Sequence, residues 1–388
     1  MIEVTDQKVY LGSCDTYEVD RLEQLLWQGL EKLGGEPVVQ PGQRVFLKVN
    51  LLMKRRPEEA VTTHPAVAEA AARVVKALGG IPVIGDSPGG PMTEQSLRAS
   101  YRISGMEEAA RRSGAELNLD LSVREVSCPD GVVSHSFRCL DAVCRADAVW
   151  SLCKLKTHGM LTFTGAVKNL YGVIPGLTKA EYHYRFPSKL PFCDMLVDLC
   201  SCIRPTLSIM DGVVAMEGDG PSGGTPRPMG VVLMARDPYV CDVAACDLIG
   251  FSREQVPLWL QAAQRGLSPE DAQGLLYVGE QPQRFRVTDF RRPSSMSITF
   301  VGGVPRWLRG PLFDLLSPKP SIVAEKCVGC GQCARACPAH TITVEGGRAV
   351  IHGEKCIKCY CCHELCPERA VRIRRGLLQK FIGQGGAG

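Results

Sequence analysis

An α/β fold is predicted for the larger part of this chain: a mostly parallel-sheet domain followed by a small α+β module rich in cysteine. Three observations predict it. Strand-like apolar runs alternate with helical patterns between Val45 and Gly250, and strand and helix taking turns means parallel βαβ units. The strands are continuous apolar runs, as in a sheet covered on both faces. A Pro- and Gly-rich stretch at 301–320 then separates this region from a segment holding nine of the nineteen cysteines.

The elements follow in order. Residues 45–49 (Val-Phe-Leu-Lys-Val) read as a buried strand. Residues 65–78 are helical, with Pro65 in the first turn and Gly79-Gly80 as the stop. Residues 81–84 form the next strand and run into the turn Gly85-Asp86-Ser87-Pro88-Gly89-Gly90. Further buried strands are expected at 148–152, 207–210 and 231–234, with helices at 192–203 and 239–249. The domains are therefore 1–300, a linker at 301–320 that docks through Trp307, Leu308 and Phe313, a module at 321–375, and a Gly-rich tail at 376–388.

Composition narrows the function. The chain has 388 residues, of which 45% are hydrophobic and 22% charged, so it can bury a sizeable core. A net charge of +4 is too balanced for a nucleic-acid binder. No apolar run reaches the length of a membrane span. Met1-Ile2-Glu3-Val4-Thr5-Asp6 has neither the basic start nor the apolar core of a secretory signal, so a cytoplasmic protein is expected. There, nineteen cysteines argue for metal ligation or redox chemistry rather than disulfides. Ten Lys and Arg against five Glu give residues 321–388 a net +5, which reads as a solvated basic face.

Cys327-x-x-Cys330-x-x-Cys333-x-x-x-Cys337-Pro338 is followed by Cys356-x-x-Cys359-x-x-Cys362-x-x-x-Cys366-Pro367. This is the bacterial ferredoxin run written twice, and it predicts a ferredoxin-like module with two [4Fe–4S] clusters rather than structural zinc. Three closely spaced thiolates wrap one face of a cube, and the fourth comes from the other half. Cys327, Cys330, Cys333 and Cys366 are expected to hold one cluster; Cys356, Cys359, Cys362 and Cys337 the other. Residues 341–351 read as a hairpin turning at Gly346-Gly347. Cys361 lies outside the pattern and is expected to be a packed thiol. Cys193, Cys200, Cys202, Cys241 and Cys246 form no ligand motif and are expected in the core.

In the larger domain, polar groups gather beside the strands, where α/β proteins place their sites. Lys48 and Asn50 lie at a strand end, and Thr63-His64-Pro65 opens a helix. The turn bearing Asp86, Ser87 and Gly89 could present backbone N–H groups to an anion, although it lacks the ending of a P-loop. The densest stretch holds Lys154, Lys156 and His158, then Lys168 and Asn169, with His183 shortly after. Asp211 opens an acidic, glycine-rich segment reaching Arg227. Together these point to a pocket that holds negative charge and moves protons.

At Lys48-x-Asn50, Thr63-His64-Pro65, Gly85-Asp86-Ser87-Pro88-Gly89, Lys154-x-Lys156-x-His158, Gly165-x-x-Lys168-Asn169-x-x-Gly172 and Asp211 to Gly224 the chain resembles the family catalogued as domain of unknown function number 362. The family resemblance implies this architecture, over residues 1 to about 375, and no particular reaction. His158, Lys168, Pro175-Gly176 and His183 are similar in order and spacing to lactate racemase. That resemblance implies Lys168 as anchor of a nickel-pincer nucleotide, His183 as nickel ligand and His158 as acid–base, with Arg56-Pro57 similar to a substrate-site arginine.

The function expected is an iron–sulfur oxidoreductase. Electrons from a redox partner would reach a small, anionic substrate held by Lys154, Lys156 and Lys168, with His158 or His183 supplying the proton. Two other readings stand beside it: a non-catalytic electron carrier or assembly partner, and an enzyme with an additional metal or organic cofactor in the α/β domain.

Overall fold

The computed structural model describes residues 7–35, 38–90, 92–176, 178–295 and 318–374. The expected linker, apart from 318–320, and the expected tail lie outside the described residues.

Strands β1 (Lys8–Ser13), β2 (Arg44–Lys48), β3 (Ile81–Gly85) and β4 (Glu116–Leu117) are followed by a separate hairpin, β5 (Val123–Ser127) and β6 (Ser136–Leu140). Then come β7 (Ala148–His158), β8 (Thr162–Thr164), β9 (Leu207–Glu217), β10 (Thr225–Ala235) and β11 (Leu276–Gly279). The main sheet runs β11-β1-β10-β9-β7-β2-β3-β4, with β8 on the end of β7. From β9 to β4 every neighbouring pair is parallel.

The buried faces explain the sequence pattern. Val45, Phe46, Leu47 and Lys48 are all buried, because helices cover both sides of β2. The helices Val19–Leu33 and Pro65–Ala77 pack one face through Leu22, Leu25, Val67 and Val74, against Trp150 and Leu152. The helix Lys189–Ile203 packs the other through Phe192 and Leu196, against Phe46 and Val149. Cys193, Cys200, Cys241 and Cys246 are buried thiols in these layers, and Cys202 is half-buried.

Two expectations change. The strand at 231–234 belongs to β10, which runs antiparallel to both β9 and β1. The sheet is therefore mixed, since the apolar run of a buried strand carries no mark of its direction. Lys154, Lys156 and His158, expected beside a strand, lie within β7 itself, whose eleven residues are all buried.

The C-terminal module has strands β12 (Lys319–Ile322), β13 (Ile342–Glu345), β14 (Arg348–Ile351) and β15 (Val371–Arg374), pairing β12 with β15 and β13 with β14. The β13–β14 turn uses Gly346 and Gly347 with φ of 55° and 74°, the left-handed geometry that a two-residue hairpin needs. The module sits on the larger domain. Arg55 donates to the carbonyls of Cys366 (3.3 Å) and Pro367 (2.7 Å), and Glu59 pairs with both Arg55 and Arg369. The acidic, glycine-rich segment between β9 and β10 meets the module too: Ser222 Oγ donates to the carbonyl of Glu364 at 2.8 Å, and His363 Nε2 lies 3.2 Å from the Asp219 carbonyl.

Candidate functional site

Each cysteine quartet read from the spacing frames one cavity. Cys327, Cys330, Cys333 and Cys366 line the first; Cys337, Cys356, Cys359 and Cys362 line the second. Backbone N–H groups already point at the sulfurs: Ala349 to Cys327 (3.3 Å), Ala370 to Cys366 (3.2 Å) and Thr341 to Cys337 (3.4 Å). Such bonds stabilise cluster thiolates and tune them. The two loops are also conformational repeats: Gly329 and Gly331 have φ of 66° and 71°, and Lys358 and Tyr360 in the second run have 55° and 61°. The residues fit two cubanes with exchanged fourth ligands. Cys337→Ser is accordingly expected to remove the same cluster as Cys356→Ser, lowering iron from about eight to about four per chain. Cys337→Ser and Cys356→Ser eliminating different electron-paramagnetic-resonance signals would contradict the exchange.

The second feature is a pocket at the carboxyl ends of β2 and β3. Here β2 has β3 on one side and β7 on the other, the crevice position that open α/β sheets use for ligands. Its walls include Lys48, Asn50, Asp86, Ser87, Gly89, Lys168, Asn169 and His183 from the larger domain. The module closes it with Ala336, Cys361, Glu364 and Leu365.

Lys48 is fully buried, and its Nζ lies 2.7 Å from Asp86 Oδ1 and 2.6 Å from the Val49 carbonyl. Burial pushes its pKa down, with Asp86 opposing. Asn169 links this pair to Asn50: its Oδ1 accepts from Lys48 Nζ and Asn50 Nδ2, both at 3.3 Å. Lys168 is different. Its Nζ lies 4.8 Å from the centre of the Tyr171 ring, and among the described residues it has no hydrogen-bond or ion-pair partner. It is therefore available to a ligand. Burial lowers its pKa, with Glu364 opposing.

His183 stacks on Phe192 with ring centres 4.3 Å apart, and its buried Nδ1 has no partner among the described residues. Burial, then Lys168, pushes its pKa down to about 3, so the ring is neutral near pH 7. Lys179, one helical turn before His183, bonds the Ser87 carbonyl and Oγ. Burial brings its pKa down to about 7.

The remaining candidates stand elsewhere. Lys154 and Asp211 form a fully buried pair at 2.8 Å, with Tyr17 donating to Asp211 at 2.9 Å. Neither lines the pocket, because each satisfies the other. Lys156 donates to Asn50 Oδ1 and to the Val61 carbonyl, both at 2.6 Å, and so braces the wall from behind. His158 accepts backbone N–H bonds from Met160 and Leu161 at Nδ1 (3.1 and 3.2 Å), which leaves its proton on Nε2, 3.2 Å from Glu364 Oε1. The nickel-cofactor reading needs Lys168, His183 and His158 in one cavity. Lys168 and His183 share it; His158 lies behind Glu364. Arg56 is exposed at the start of the 3-10 turn Pro57–Glu59 and does not line the pocket.

The turn after β3 also departs from its expected use. Ser87 N–H is taken by the Gly172 carbonyl and Asp86 Oδ1, and Gly89 N–H by the Leu52 carbonyl. These amides are spent inside the fold, so a ligand meets side chains instead of an amide cradle. Gly89 serves close approach: a Cβ there would lie 2.6 Å from Leu365 of the module. Lys179, Glu364 and Leu365 escaped the sequence reading. The i, i+4 spacing of Lys179 and His183 on one helix was a usable signal. Glu364 and Leu365 had none, since only docking of the module brings them here.

A mostly parallel α/β domain with a strand-end pocket, closed by a module with two four-cysteine cavities, defines a ferredoxin-type iron–sulfur protein. Residues 45–247 match the model for the domain of unknown function DUF362, and residues 319–367 match that for a 4Fe-4S dicluster domain. The chain belongs to the DUF362 family. It is 34% identical over 310 residues to a thylakoid-associated protein of Synechocystis sp., a match covering 78% of this chain and 92% of that one. It is also similar to the lactate racemase apoprotein from Thermoanaerobacterium thermosaccharolyticum, with a TM-score of 0.39 and 10% identity over 63% of this chain and 58% of that one. That likeness is too slight to carry an argument. Among the described residues, no helix is long and apolar enough to cross a membrane.

Proposed function

We propose that this protein is an iron–sulfur oxidoreductase that reduces a small anionic molecule in the pocket between its two domains. The observation that supports this most is the composition of that pocket. Lys168, with no hydrogen-bond or ion-pair partner among the described residues, and a neutral His183 face it from one domain, and Cys361 and Glu364 wall it from the cysteine module. Bound in their cavities, the two clusters supply electrons one at a time; the external donor is a one-electron redox partner.

The chain's own residues divide the remaining work. Lys168 meets the ligand's negative charge in a site of low dielectric, where one such contact is worth most. Proton delivery passes from the histidines to the lysines. Burial holds His158 and His183 neutral near pH 7, whereas Lys179, pushed to about 7, can give up a proton there. The Synechocystis relative's description as thylakoid-associated supports work at a membrane surface, and we place the protein in the cytoplasm.

Anion binding tests the pocket. Lys179 carries its charge below pH 7 and loses it above, so affinity for small carboxylates and phosphates is expected to fall as pH rises through about 7. Lys179→Arg, which stays protonated, is expected to flatten that fall. Calorimetric titration with acetate, pyruvate and inorganic phosphate measures both. Wild-type binding that is the same at pH 6 and pH 8 would remove Lys179 from the account.

A further inference from the structure

Among the described residues, Cys361 is the one that lines both the ligand pocket and the cavity of Cys337, Cys356, Cys359 and Cys362. The cavity of Cys327, Cys330, Cys333 and Cys366 shares no described lining residue with the pocket. The cavity of Cys327, Cys330, Cys333 and Cys366 faces outward: Cys330 is exposed, and Val328 beside it is 65% exposed. In the pocket-side loop Cys359 is buried, and Cys356 and Lys358 are half-buried.

The two halves of the module differ at one informative position. The loops match residue for residue, so Cys361 occupies the place that Gln332 holds in the other run. Gln332 is exposed, whereas Cys361 is buried and its thiol lines the same cavity as Cys359, two residues before it, where it can donate to a ligand sulfur. A hydrogen bond to a ligand sulfur stabilises the more negative, reduced state of a cluster. The nearby charge of Lys168 acts in the same direction.

We propose that the two cluster sites are unequal by construction: the site of Cys337, Cys356, Cys359 and Cys362 is the pocket-side station, coupled to the ligand pocket and tuned by Cys361, and the site of Cys327, Cys330, Cys333 and Cys366 is the outer station. The inference rests on the pocket as the place where electrons are used. Its test needs no substrate, so failure of the proposed reaction would leave the test readable.

The test is an anaerobic redox titration of the full chain, followed by electron paramagnetic resonance, on wild type, Cys361→Ala, Cys361→Ser, Lys168→Met and Gln332→Ala. Cys361→Ala is expected to lower the potential of one cluster, with a roughly tenfold change in its oxidised-to-reduced ratio, equivalent to about 59 mV for one electron. Cys361→Ser keeps a donor and is expected to restore most of that loss. Lys168→Met is expected to lower the potential of the same cluster, and Gln332→Ala to leave that cluster unchanged. The proposal is overturned if Cys361→Ala moves neither cluster or both alike, or if Lys168→Met moves neither or the other one. Should Cys361→Ala fail to assemble its cluster, Lys168→Met and Gln332→Ala still decide: both falling on one cluster overturns the proposal, and Lys168→Met alone moving it supports the unequal stations.

Discussion

Replacing Lys168 by Met is expected to slow oxidation of the reduced protein by its pocket ligand by about 10²–10³-fold, the usual loss when one aimed electrostatic contact is removed from a site. The visible absorption of the module should be unchanged. Lys168 is the side chain for this test because nothing else uses it: among the described residues its Nζ has only the Tyr171 ring. Met has similar length and fills the same space, so the change isolates the charge. The short helix Ala166–Asn169 that carries it is held from outside, with Asp242 accepting the N–H groups of Ala166 (2.5 Å) and Val167 (3.1 Å). The helix should therefore stay in place. Stopped-flow reoxidation checks the rate, and an unchanged rate would remove Lys168 from the mechanism.

Asp86→Ala is expected to destabilise the larger domain by about 3–5 kcal/mol, because it strands the buried ammonium of Lys48. Both side chains are essentially without solvent contact, at 0% and 3% exposure. Asp86 also accepts the N–H of Leu51 at 2.6 Å, so its loss frees a second buried donor. The double change Lys48→Met with Asp86→Ala removes both charges together and is expected to recover much of the loss, since an apolar replacement for a buried pair is often nearly neutral. Urea unfolding followed by circular dichroism measures the three variants. A double variant no more stable than Asp86→Ala alone would show that the frustrated charge is not the cause.

The layout of the larger domain was legible where burial on both faces left a continuous apolar run, as in β2 and β3. It was not legible at β1, where Lys8 and Ser13 bound a short mixed segment, nor in the direction of β10. Lys48, Asn50, Asp86, Lys168, Asn169 and His183 were read from the sequence and do meet at one pocket. Lys154 and Asp211 were read with them and instead neutralise each other 57 residues apart in the chain. A buried pair of this separation leaves no local pattern. Each cysteine quartet read from the spacing frames one cavity, because loop geometry converts spacing directly into position. Cys361 shows the limit of that logic. Spacing set it outside both quartets, and only the docking of the module reveals that it stands between a cluster cavity and the pocket.

The most direct measurement is reoxidation of the wild-type protein. The chain, purified and loaded without oxygen, is reduced and freed of excess reductant, then mixed with a panel of small anions that carry a reducible group, 2-oxo acids, unsaturated carboxylates and carbonyl-bearing phosphate esters, while its visible absorption is followed. The account expects one chemical class of anion to restore the oxidised spectrum of wild type rapidly and of Lys168→Met slowly. Reoxidation that no anion accelerates, or that proceeds equally fast in both proteins, would contradict a reductase whose acceptor sits in this pocket.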